Sequence, residues 1–103
     1  MQLTVNENKL TIIIPTYERH HVLSRAIDYY SQIDVAVIIA DSSNNPFTNK
    51  LPDNFRLLHC PDYFMGDKIY KALCEVDTDY SCLCADDDFL HQTGLINDEL
   101  YFN

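Results

Sequence analysis

Three consecutive aspartates, Asp86-Asp87-Asp88, follow the apolar stretch Tyr80-Ser81-Cys82-Leu83-Cys84-Ala85. Adjacent carboxylates repel one another, and burying one without a partner costs on the order of several kcal/mol or forces it to take up a proton. A divalent cation removes that conflict. In an extended chain Asp86 and Asp88 point one way and Asp87 the other, so a D-x-D pair can face one ligand together. Asp86 and Asp88 are therefore candidate metal ligands. Hard oxygen donors suit Mg²⁺ or Mn²⁺, which complete their shells with water and phosphate oxygens. Beside a diphosphate such an ion stabilises the charge on a departing group. The plain alternative is an acidic turn in solvent, since aspartate is a common turn former.

Other chemistry-bearing residues cluster in the same way. Thr16-Tyr17-Glu18-Arg19 follows the β-branched run Leu10-Thr11-Ile12-Ile13-Ile14, which Pro15 closes. Asp41-Ser42-Ser43 follows Val35-Ala36-Val37-Ile38-Ile39-Ala40, and His59 follows Phe55-Arg56-Leu57-Leu58. Such continuous apolar runs are how strands buried on both faces of a parallel sheet read. Between the first two, Val22, Leu23, Ala26, Ile27 and Tyr30 form one stripe and predict a helix from His20 to Gln32. Ile69, Tyr70, Leu73 and Cys74 predict a second over Asp67 to Val76, with Lys68 early in it, and Leu90 to Phe102 reads as a loop and a short helix.

The order is thus βαβ, β, α, β, α, an α/β fold with an open, mainly parallel sheet and flanking helices. Its βαβ crossover should be right-handed. Each strand delivers a polar cluster at its carboxyl end, the edge of open α/β sheets where ligands bind. Tyr29, Tyr30 and Tyr70 sit at helical spacing and read as core or amphipathic surface. The His20-His21 pair reads as solvated, and Arg19 as a surface ion pair or a phosphate contact.

With 103 residues and 47% hydrophobic content, the chain holds one modest core and is treated as one domain over residues 1–103. The balance of 7 basic against 16 acidic residues, a net charge of -9, repels nucleic acid backbones. An anionic ligand could be held near these carboxylates only through a cation. No apolar run is long enough to span a bilayer, and the first eight residues lack the basic and apolar regions of a signal peptide, so a cytoplasmic location is expected. Cys60, Cys74, Cys82 and Cys84 contain no C-x-x-C pair and read as reduced thiols. Nothing in the spacing asks for a zinc site built from His59 and the cysteines.

These pieces resemble family 2 glycosyltransferases of the GT-A fold. The matching segments are Leu10 to Arg19, Asp41-Ser42-Ser43 and Cys84-Ala85-Asp86-Asp87-Asp88-Phe89, in the family's order, covering the chain from Leu10 to about Leu95. The resemblance implies a nucleotide-sugar donor, typically a UDP-sugar, bound with Mn²⁺ or Mg²⁺ for transfer to an acceptor hydroxyl. It places Tyr17 against the base with Thr16 and Glu18 beside it, Asp41 on the base, Asp86, Asp87 and Asp88 on ribose and metal, with either Asp87 or Asp88 as the main metal ligand, and Lys68 on base or phosphate. It further implies that the chain is the nucleotide-sugar-binding half, lacking the C-terminal part that binds acceptor, and names no catalytic base. Asp98 and Glu99, near the end, read as solvated. A sheet cut short would leave an edge for a second copy of the chain to pair with. Two other readings compete: a non-catalytic nucleotide and metal-binding module or inactive fragment, and a nucleotidyltransferase. The last usually carries a glycine-rich phosphate loop after its first strand, which Pro15-Thr16-Tyr17-Glu18-Arg19 does not.

Overall fold

The computed structural model describes residues 10–87. Asp88 and the expected segment from Leu90 to Phe102, with Asp98 and Glu99, lie outside the described residues. The elements are β1 (Leu10–Thr16), α1 (His20–Tyr30), β2 (Ala36–Asp41), β3 (Phe55–His59), α2 (Met65–Cys74) and β4 (Tyr80–Leu83). They build an α/β fold around one four-stranded sheet of order β3-β2-β1-β4, in which every pairing is parallel.

The apolar runs of β1 and β2 lie in the middle of the sheet, where both faces need cover. Alternate residues face opposite sides. Ile12, Ile14, Val37 and Ile39 join Leu23, Ala26, Ile27 and Tyr30 of α1 in the larger core, whereas Ile13, Ile38 and Ala40 pack with Ala72 of α2. The two helices thus cover opposite faces. The chain returns from β2 to β3 through residues 42–54 without a helix, and Phe47 buries itself in the α1-side core on the way.

Element ends differ from the sequence reading by a residue or two. α1 stops at Tyr30, where the backbone N–H of Ser31 bonds Ile27 O at 2.9 Å and that of Gln32 bonds Tyr29 O at 3.2 Å. α2 begins at Met65 because the extended Phe64 starts it, two residues before the predicted position. β4 ends at Leu83 and not Ala85, although Cys84 N–H still bonds Ile13 O at 3.0 Å. Tyr30 is fully buried, while Tyr70 is exposed. No helix among the described residues is long and apolar enough to cross a membrane.

Candidate functional site

The strand register places the polar residues in line. Thr16 pairs with Asp41, and Asp41 with His59, so the carboxyl ends of β1, β2 and β3 finish in one row. Since β2 lies to one side of β1 and β4 to the other, the direction of winding reverses between β1 and β4. That reversal is where open α/β sheets bind ligands. Thr16 and Asp86 meet there, with Thr16 Oγ1 donating to Asp86 Oδ2 at 2.8 Å across the buried end of the sheet.

Alternation then sorts the groups by face. Thr16 and Asp41 share the parity of Ile14 and Ile39 and so lie on the α1 side. Ser42 lies on the α2 side, where Lys68 reaches it. The Lys68 ammonium donates to Thr16 O and Ser42 Oγ, both at 2.8 Å. This lysine is only 2% exposed, which is rare for lysine, whose charge usually stays in water. Two buried carboxylates on either side of the end of β1, Asp41 and Asp86, demand a positive charge nearby, and Lys68 supplies it. Burial lowers the Lys68 pKa below its ordinary value, against the opposing pull of Asp41, Cys60 and Asp86. Cys60 is raised, mainly by burial, with Lys71 and Lys68 pulling the other way.

Asp86 is 4% exposed, so the acidic run is not a solvated turn throughout. Nor is it extended: Asp86 and Asp87 lie in a turn, and the side-to-side alternation of a strand does not apply to them. Instead of pointing away, Asp87 Oδ2 lies 3.5 Å from one guanidinium nitrogen of Arg19, and Asp86 Oδ1 lies 3.5 Å from the other. Arg19 is neither remote nor purely a surface group. Half-exposed, it spans the two carboxylates.

The loop after β1 is shaped for this task. Glu18 has φ of 52°, a left-handed backbone that costs a non-glycine residue roughly 1–2 kcal/mol. The loop after β2 holds it there: Glu18 N–H donates to Ser43 Oγ at 2.6 Å, and Glu18 Oε2 accepts from Asn44 N–H at 2.8 Å. The strained turn leaves Tyr17 58% exposed, its ring presented to solvent beside the row of strand ends. His59 Nε2 lies 2.8 Å from Ser43 O and ties β3 to the same loop.

Asp41 is the most enclosed of these groups, at 0% exposure. Its Oδ1 accepts from Ser43 N–H at 2.9 Å. Its Oδ2 faces His20 Nε2 at 3.4 Å, yet neither atom has a hydrogen-bond partner. His20 was not expected here. It lies one turn ahead of Leu23 on the stripe that α1 buries, and that spacing was the signal for an inward position. The structure brings together Thr16, Glu18, Asp41, Lys68 and Asp86, leaves Tyr17 and Asp87 at the rim, and does not describe Asp88. Among the described residues, no group of three or more His, Cys, Asp or Glu side chains could hold a metal ion. A separate cavity of about 310 Å³, lined by Asp34, Asp53, Asn54, Arg56 and Asp77 among others, opens at the opposite, amino-terminal edge of the strands.

Compared with known proteins, the chain matches no protein-family model and no curated protein sequence.

Proposed function

We propose that this chain is the nucleotide-sugar-binding half of a family 2-like glycosyltransferase, holding a UDP-sugar with Mn²⁺ or Mg²⁺ for transfer of the sugar to an acceptor hydroxyl. One observation carries the reading: Thr16, Asp41, Lys68 and Asp86 converge at the winding reversal of a parallel sheet, with Tyr17 exposed beside them. In this reading Tyr17 stacks on the base and Asp41 accepts its N–H. Thr16 orients Asp86, and Glu18 fixes the turn that presents Tyr17. Buried Lys68 stiffens the floor of the site and lends it positive charge.

The carboxylates suit such a cation in chemistry. Asp86 and Asp87 each lie 3.5 Å from a guanidinium nitrogen of Arg19, which supports a shared positive partner. Half-exposed Arg19 is free to swing toward the diphosphate once a metal replaces it. Asp86 and Asp87, with Asp88, would hold the metal. When bound, it supplies Lewis-acid neutralisation of the diphosphate charge. We assign no catalytic base. All four cysteines are free thiols, which accords with a cytoplasmic setting.

Calorimetric titration of UDP with and without Mn²⁺ tests the reading. We expect metal-dependent binding, lost in the double variant Asp86→Ala, Asp88→Ala. Unchanged affinity in that variant refutes the metal assignment. A sugar-release assay with UDP-sugars then separates a transferase from a module that binds and transfers nothing.

A further inference from the structure

Asp41 poses a problem that the protein alone does not solve. A carboxylate at 0% exposure leaves Oδ2 without a hydrogen bond, and an unsatisfied buried acceptor of this kind costs about 1–3 kcal/mol or more. His20 Nε2, also enclosed and also without a hydrogen bond, lies 3.4 Å away, at ion-pair distance when the imidazole is protonated. Two adjacent buried groups, an acceptor and a ring nitrogen able to donate, stand side by side with nothing between them. Buried polar atoms left open in this way point to a partner that arrives from outside.

The access route passes His20 itself. Its side chain is 35% exposed, although Nε2 is covered. The ring rests edge-on against Phe47, with centroids 5.4 Å apart. An aromatic edge contact permits the imidazole to turn while staying packed. The backbone beneath is firm, because Leu23 N–H bonds Arg19 O at 2.9 Å in the first turn of α1.

We propose that His20 is a specificity-determining residue. With Asp41 it reads the neighbouring N–H and C=O of a lactam-type nucleobase, Asp41 accepting from the N–H while His20 Nε2–H donates to the carbonyl, and it closes over Asp41 when no base is bound. The proposal rests on the nucleotide-sugar reading. It adds a selection rule that the reading lacks. Uracil and guanine present an N–H beside a C=O, whereas the corresponding edges of cytosine and adenine lack that N–H. For cytosine the Asp41 acceptor would meet an acceptor, which leaves buried like groups opposed, and sites of that kind discriminate strongly.

The test is calorimetric binding of UDP, GDP, CDP and ADP in the presence of Mn²⁺ to the wild-type chain and to His20→Leu and His20→Gln. Leucine keeps apolar contact with Phe47 but cannot donate; glutamine restores an N–H donor. We expect wild type to prefer UDP or GDP over CDP and ADP, and the UDP and GDP arms to show which lactam base it takes. His20→Leu should lower that preference about tenfold, the equivalent of one lost bond worth about 1.4 kcal/mol, and His20→Gln should recover most of it. CDP affinity should stay constant across the three proteins, a pattern that loss of folding would not produce. An unchanged UDP to CDP ratio in His20→Leu overturns the role of His20 while leaving the nucleotide site standing. Absence of nucleotide binding by wild type overturns both.

Discussion

A lysine ammonium sealed under two strand ends is costly unless its neighbours need it. Lys68 answers to a backbone carbonyl and a serine hydroxyl and lies in the field of Asp41 and Asp86. Removing one partner from such a buried charge set typically costs 3–5 kcal/mol. We expect Lys68→Met to lose about that much, read as a lowered urea midpoint. The alkaline limb of stability reports on the same cluster. The folded-state pKa of Lys68 lies below its ordinary 10.5, so above that lowered value the unfolded chain binds more protons and stability rises as the pH approaches 10.5. Cys60 has the opposite sign. Its pKa is raised above 9.0, so its contribution is complete below pH 9.0 and is lost as pH climbs through the folded value. Cys60→Ala removes the falling component and should gain stability relative to wild type between pH 9.0 and 10.5 in urea titrations, with no relative gain at neutral pH.

At the scale of elements, α2 is poorly started. Its N-cap is Phe64, extended at φ −73° and ψ 166° but making no side-chain cap bond, and 82% exposed. Phe64→Ser should supply the missing acceptor and stabilise by about 1 kcal/mol. Gly66 sits in the first turn with nothing within 4 Å of where a Cβ would stand. Gly66→Ala should add roughly 0.4–1 kcal/mol, and thermal melts of the single and double variants would show both gains. The strands and helices were legible because β-branched runs and a single helical stripe have few other interpretations. The burial of Lys68 was not, since lysine is rarely enclosed. Two facts could have exposed it: Lys68 lies four residues before Ala72 on one helix face, and Asp41 ends a buried strand with no lysine or arginine beside it in the sequence. The Asp86-Asp87 geometry escaped because the strand period stops being a guide once the strand has ended. His20 escaped because the polar pair was weighed as a pair, apart from the stripe that Leu23 and Ile27 continue.

For the molecule as a whole, the order β3-β2-β1-β4 leaves β3 and β4 as edges among the described residues. Leu83 and Tyr80 of β4 are exposed by 51% and 41%. Exposed apolar side chains on an edge strand invite association. We propose that two copies associate through this edge, opposed by the net charge of -9, so that association should strengthen as salt screens the repulsion. Light scattering across a concentration series at low and high salt would show it, and Leu83→Lys should abolish it. A monomer under every condition refutes the edge as an interface.

The placement of Ala72 has a reach beyond its size. It is fully enclosed against Ile13, Ile38 and Ala40, one turn along α2 from Lys68, so the thickness of a single methyl sets how deeply that ammonium is seated. A bulkier residue there would lift the helix and draw the charge out from between the ends of β1 and β2. Ala72 thus acts as a spacer between helix and sheet, a small side chain whose size governs the position of a charge one turn away.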